Sequence, residues 1–177
     1  MDPADESRFE RVVLRHLDAA HNLARYLTGN AVDADDVVQE TFLRALRHFH
    51  GFAGDDARSW LLVIVRNVSY DFLRQNRGGR FVSIDDVPEG RALSIESPST
   101  VIEQQLDWTR IEAAMQSLPV EFREVIVLRE VEGLSYAEIG EITGIAPGTV
   151  MSRLARARKR LKTMLAAHPS REGGNAS

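Results

Sequence analysis

Cysteine is absent from the 177 residues. Disulfides, thiolate zinc sites, iron–sulfur clusters and a cysteine nucleophile are therefore excluded, and a reducing cytoplasm is the compartment expected. Long apolar runs are missing too. The longest, Trp60 to Val65, falls far short of the roughly 20 residues of a membrane span. The stretch MDPADESRFE is acidic and has no apolar core, so no signal peptide and no membrane insertion are expected. Histidines are few and poorly spaced for a metal. His48 and His50 stand two apart, His16 and His21 five apart, and neither spacing puts two imidazoles on one helix face. Asp33, Asp35 and Asp36 lack the glycine and the further ligand of a calcium loop. No Ser/His/Asp order and no phosphate-cradling glycine loop occurs. No metal, no cofactor and no catalytic residue are expected, and the chain does not read as an enzyme.

What is present is a chain able to bury a core, with 44% hydrophobic and 27% charged residues. Its length allows one ordinary domain or two small ones. The net charge of −4 argues mildly against a nucleic-acid partner, but its distribution reverses that. Met151 to Lys162 holds Arg153, Arg156, Arg158, Lys159, Arg160 and Lys162 and no acid. Asp33 to Glu40 holds Asp33, Asp35, Asp36 and Glu40 and no base. Blocks of opposite sign suggest separate interaction surfaces.

Apolar residues recur at helical spacing through Phe9, Val13, Leu17, Ala20, Ala24 and Leu27, which predicts one helix closed by Gly29. A second helix is expected from Asp33, with that carboxylate as its cap and Val38, Phe42, Ala45, Leu46 and Phe49 inward. HGFAGDD (50–56) reads as a loop, and Ala57 to Gln75 as a third helix burying Leu61, Ile64, Val65, Val68 and Phe72. Residues 78–98 show no sustained period and read as an acidic linker, with a short extended piece at Phe81–Ile84. Helices resume at Ser99–Gln116 and Pro119–Glu132. Ser135 to Glu138 is a capping box, and Pro147 opens a last helix to Ala166. No segment shows strand alternation. The fold class expected is all-α, two small helical domains joined by a flexible linker: 1–77, linker 78–98, 99–167, and a frayed tail 168–177.

The stretch LSYAEIGEITGIAPGTVMSRLARARKRL (134–161) has the marks of a helix-turn-helix. Gly140 is a small residue where two helices cross, Gly144 sits at the turn, and Ile139, Ile145, Val150 and Leu154 form the buried set. The second helix then presents Thr149, Met151, Ser152, Arg153, Ala155 and Arg156, followed by a basic half that includes Lys159. A helix of this width fits the DNA major groove, its first half near base edges and its cations near phosphates.

The longer stretch LPVEFREVIVLREVEGLSYAEIGEITGIAPGTVMSRLARARKRLK closely resembles domain 4 of bacterial RNA polymerase sigma factors of the extracytoplasmic-function (ECF) type. Gly140 stands where Ala is more usual, and Met151 where many members carry Arg or Lys. DADDVVQETFLRALR (33–47) resembles sigma region 2.2, whose helix docks on a coiled coil of the largest polymerase subunit. The exposed polar face Asp35, Asp36, Gln39 and Glu40 suits a basic helical partner. FAGDDARSWLLVIVRNVSYDFLRQNR (52–77) resembles regions 2.3 and 2.4, which recognise the −10 promoter element, with Ala53 where Arg is usual. Phe52, Arg58, Trp60, Arg66, Asn67, Tyr70, Arg74 and Arg77 interleave aromatic and basic groups there, a combination that suits single-stranded DNA. Trp60 reads more readily as core than as a DNA contact.

The resemblance implies a cytoplasmic, non-enzymatic sigma factor of the two-domain type. Its implied partners are core RNA polymerase, promoter DNA and an anti-sigma factor. The −35 element is read as duplex by Thr149, Met151, Ser152, Arg153, Ala155, Arg156 and Lys159, while domain 2 captures an extruded base of the −10 element. The competing reading is a helix-turn-helix regulator that binds duplex operators without polymerase. Its first domain should be an α/β sensor, and nothing in residues 1–77 suggests one.

Overall fold

A computed structural model describes residues 3–76 and 108–167, and these are helical throughout apart from turns and caps. Helix α1 (Pro3–Val13) and helix α2 (Leu17–Thr28) are separated by a 3₁₀ turn, Leu14–His16, so the single helix expected across Phe9–Leu27 is broken. The periodicity runs through the break because Val13 and Ala20 are both fully buried while Leu14 and Leu17 are left exposed. Gly29 ends α2 in the left-handed conformation, φ 90°, and its N–H reaches Arg25 O. This is the expected glycine cap, at a torsion that costs other residues a clash with their Cβ.

Helix α3 (Ala31–His48) starts earlier than Asp33. Its cap is Asn30, whose side-chain oxygen accepts from the Asp33 N–H at 2.8 Å. Asn30 precedes the first turn and has extended backbone, so it can aim an acceptor at the free amides where Asp33, already helical, cannot. α3 buries Ala34, Val37, Val38, Thr41 and Ala45, while Phe42 and Leu46 are half-buried. A 3₁₀ turn (Phe49–Gly51) leads into the 52–56 loop, and helix α4 follows (Ala57–Asn76). Asp56 caps α4 by accepting from the Ser59 N–H at 3.0 Å. That bonding to Ser59 holds the Asp56 carboxyl below the usual carboxylate range.

The second half contains α5 (Trp108–Ser117), α6 (Val120–Ile126), α7 (Tyr136–Thr143) and α8 (Pro147–Ala166). Pro119 is the cap residue of α6 rather than its first helical residue. The helix expected to reach Glu132 passes instead into a π turn, Val127–Val131, with the Glu132 N–H bonded to Val127 O. The wider turn ends at Gly133 (φ 69°). The capping box at α7 is present, Ser135 N to Glu138 Oε2 at 2.7 Å and Glu138 N to Ser135 Oγ at 3.2 Å. Pro147 opens α8 as expected. Ile139, Val150 and Leu154 are fully buried, and Ile145 is half-buried. The expected linker, the extended piece at 81–84, residues 99–107, Arg77 and the tail lie outside the described residues.

The two helical domains expected from the sequence pack against each other. α2 packs on α6, α4 packs on α7, and the buried apolar side chains form one continuous cluster from Phe9 and Leu61 to Val125 and Leu154. Polar groups also bridge this boundary. Arg25 pairs with Glu112 at 2.6 Å, and Arg123 donates to Tyr26 O at 3.2 Å.

Candidate nucleic-acid interface

On α8, burial sorts the side chains cleanly. Val150, Leu154 and Ala157 face the core, while Thr149, Met151, Ser152, Ala155, Arg156 and Lys159 are exposed. The helix-turn-helix thus presents most of the residues expected to read duplex DNA on one continuous face. Arg153 departs from it, half-buried and on the side that senses Glu124. The Arg156 guanidinium lies 5.5 Å above the ring of buried Phe122, a cation–π contact that steadies a long side chain without consuming its hydrogen-bond donors. Arg158 is bound to Glu130, with Nε at 2.7 Å, which subtracts one cation from the basic half of the helix.

Gly140 and Gly144 set the angle between α7 and α8. A Cβ at Gly140 would stand 2.7 Å from Ile145 O, closer than real side chains come to backbone. Gly144 needs its glycine for another reason, a φ of 76° with open space around it.

The residues expected to meet the −10 element divide into three groups. Phe52 is 7% exposed, stacked on Phe49 at 6.1 Å between ring centres and tilted against Trp60 at 4.8 Å. Both Phe52 and half-buried Trp60 thus belong to an aromatic cluster that also holds Phe9. That cluster anchors the loop, with Arg8 donating to Phe52 O at 3.2 Å. Ala53, Gly54 and Asp55 are left exposed above it. Asn67 and Arg74 form the second group, exposed on α4, with Arg74 bonded to Asp71 at 2.8 Å.

The third group faces the second half of the chain. Arg66 pairs with Glu124, and the Tyr70 hydroxyl donates to Glu124 Oε2 at 3.1 Å. Arg58 pairs with Glu132 Oε2 at 2.9 Å and also donates to the Glu132 carbonyl. Asn22 donates to Glu132 Oε1 at 3.0 Å. Burial pushes the Glu124 carboxyl above the usual range, opposed by Arg66 and Tyr70. Burial likewise pushes the Tyr70 phenol up, and the charge of Glu124 adds to it. Glu124 and Glu132 were not anticipated from the sequence. The available signal was a carboxylate inside the apolar run Val120, Phe122, Val125, Ile126.

The expected polymerase face keeps most of its character. Asp35, Asp36 and Gln39 are exposed. Asp35 accepts from or pairs with His21 at 3.0 Å, and Glu40 is tied to Arg44 at 2.7 Å, which in turn reaches Asp71 at 3.3 Å. Asp35 and Gln39 line a shallow concavity with Leu17, Asp18, His21 and Val38.

Described residues that are all helical, with an aromatic, basic α4 in the first half and a helix-turn-helix in the second, have the architecture of a sigma-70-type factor. Residues 12–78 match the family Sigma-70 region 2, and residues 108–161 match Sigma-70, region 4. The ECF RNA polymerase sigma factor SigE of Mycolicibacterium smegmatis is 34% identical over 99% of this chain and 68% of its own length. Among solved structures, the sigma factor RpoE in complex with the anti-sigma factor NepR from Bartonella quintana superposes with a TM-score of 0.71. It is 30% identical, over 92% of this chain and 99% of that one. CnrH in complex with the cytosolic domain of CnrY gives a TM-score of 0.68 at 29% identity, covering 93% and 91%. The chain belongs to the ECF RNA polymerase sigma factors. No helix among the described residues is long and apolar enough to cross a membrane.

Proposed function

We propose that this sigma factor works in the cytoplasm, binds core RNA polymerase and directs it to promoters in two contacts of different physics. The units that carry these contacts are residues 1–77 and 99–167. Thr149, Met151, Ser152, Ala155 and Arg156 read the −35 element in the major groove, with Lys159 on phosphate. The 51–58 loop and α4, through Asn67, Arg58, Arg66, Tyr70 and Arg74, hold the melted −10 strand. Stacking and cations supply that affinity, and a captured base offsets part of the few kcal/mol spent on unstacking. Phe52 and Trp60 act from beneath as the rigid floor of the loop. Asp35, Asp36, Gln39 and Glu40 meet a basic helical element of the polymerase. An anti-sigma factor is the antagonist expected, since the similar structures of RpoE and CnrH carry NepR and CnrY.

The observation that carries this reading is the row of exposed residues on α8, opposite its fully buried Val150 and Leu154. The test is transcription in vitro from a genomic library with core polymerase and this chain, followed by start-site mapping. Specific starts that need both components support the reading. A chain that shifts duplex DNA alone and adds no starts overturns it in favour of an operator-binding regulator. Replacing Asp36 and Glu40 by Lys should abolish co-purification with core while far-ultraviolet circular dichroism stays unchanged.

A further inference from the structure

We propose that Arg8 is a positioning residue for base capture: from α1 it holds the Phe52 carbonyl and the Phe49 ring, and so sets the shape that the 52–56 loop presents to the −10 strand. This inference rests on the assignment of that loop to the −10 contact.

The loop is pinned at both ends. The Phe52 N–H donates back to Phe49 O at 2.9 Å, and Asp56 caps α4 through the Ser59 N–H at 3.0 Å. Between the pins, Ala53, Gly54 and Asp55 are exposed. Ala53 and Gly54 carry no hydrogen-bonding side chain, so what they can aim at a base edge is main chain. The direction of a main-chain donor is set by its peptide plane. Arg8 Nη2 donates to the Phe52 carbonyl at 3.2 Å, and the trans peptide then turns the Ala53 N–H the opposite way. A side chain 44 residues away thus orients the first peptide of the exposed stretch.

The chemistry of Arg8 suits this task. Its guanidinium carbon lies 4.9 Å from the ring centre of Phe49, which is fully buried. Phe49 in turn stacks on Phe52 at 6.1 Å. One planar cation therefore touches both the ring at the foot of the loop and the carbonyl at its start. Stacking uses the face of the guanidinium and leaves its in-plane N–H groups for the carbonyl. Asp5, one turn earlier on the same face of α1, pairs with His50 at 3.2 Å. His50 is exposed, and pairs of that kind contribute little, so the contacts of half-buried Arg8 dominate. The seat of α1 itself is secured by buried Phe9 and Val13, with Phe9 edge-on to Phe49 at 5.2 Å. Arg8 is thus not needed to hold the helix, and what it orders is the loop.

The test uses the holoenzyme and fluorescein-labelled bubble templates built on a promoter from the start-site map, read by anisotropy. Each non-template base of the −10 element is replaced in turn by an abasic site. At the captured position the parent should lose affinity by about 5- to 150-fold, the worth of one stacked base. Arg8→Met keeps a flexible apolar stem on Phe49 and removes the donor and the charge. It should bind the intact template about fivefold more weakly, the loss of one net hydrogen bond, and that abasic template as tightly as the parent does. The comparison of the two templates is made within one protein, so a smaller folded fraction cancels from it. The salt slope should stay that of the parent, because no phosphate contact is lost. Arg11→Met, at an exposed position of the same helix, should change neither affinity. An equal loss on intact and abasic templates, a salt slope lower by about one, or no loss at all overturns the proposal. If the parent itself is indifferent to every abasic site, the loop captures no base, and its −10 assignment falls as well.

Discussion

Replacing Gly140 by alanine should destabilise the helix-turn-helix, although alanine is the better helix former. The added Cβ would stand 2.7 Å from Ile145 O and 3.7 Å from Pro147 Cδ. Carbon–oxygen contacts begin near about 3.3 Å, so the α7–α8 crossing must open by roughly 0.6 Å. The atom in the way is backbone, and it cannot rotate aside as a side-chain tip would. Overpacking of this kind costs about 1–3 kcal/mol, and the propensity of Ala over Gly returns about 1 kcal/mol inside a helix. The net loss is about 0–2 kcal/mol, a fall in Tm of up to about 8 °C for a chain of this size. Calorimetry or denaturant unfolding measures it, with Gly148→Ala as the control. Gly148 has open space around it and no positive φ, so its substitution should be neutral or mildly stabilising. A Gly140→Ala protein more stable than the parent by the full propensity gain of about 1 kcal/mol would refute the close crossing. The same opening displaces the start of α8, so −35 recognition should weaken along with stability.

Three further outcomes follow from the same contacts. Ser135→Ala removes one arm of the capping box and should cost about 1 kcal/mol by denaturant unfolding, with little further loss when Glu138→Ala is added, because the two bonds work as a pair. Arg156→Ala in the holoenzyme should narrow the gap between the best promoter and a −35 variant by about 1–3 kcal/mol, whereas Lys159→Ala should weaken all promoters alike and lower the salt slope by about one. A uniform loss for Arg156→Ala would make it a backbone contact. Asn67→Ala should slow open-complex formation more than closed-complex binding, and a premelted template should restore the rate; no rescue would remove Asn67 from the melting step.

The features legible in the sequence are those written locally. Gly29, Gly144, the Ser135–Glu138 box and Pro147 each act within a few residues, and each sits where expected. The α8 face was readable for the same reason, since its periodicity needs no partner to be seen. The break at Leu14–His16 was not, because no glycine or proline marks it and the apolar spacing continues across it. The cap of α3 was misplaced because Asn30 and Asp33 are both good caps three residues apart, and only the backbone decides between them. Arg58 and Arg66 were expected to face the −10 element; the carboxylates that they meet in the structure lie 74 and 58 residues away in sequence, beyond any local pattern. The sequence reading therefore kept the halves apart where the structure packs them together. Phe52 was read by type, an aromatic in a DNA-binding motif, whereas its contacts with Phe49 and Trp60 assign it to the floor of the loop.

That aromatic floor gives the molecule a built-in optical reporter. The chain has two tryptophans. Trp108 is 78% exposed, so its emission is that of an indole in water. Trp60, half-buried and 4.8 Å from Phe52, emits from an apolar setting at shorter wavelength. Trp108→Phe would leave Trp60 as this chain's sole source, seated beneath the loop proposed to meet the unpaired base. Any lifting of Phe52 as a base enters would redden and quench that emission on the millisecond scale of mixing experiments. Promoter opening by this factor can thus be timed from the protein side, with native promoter DNA and no attached dye.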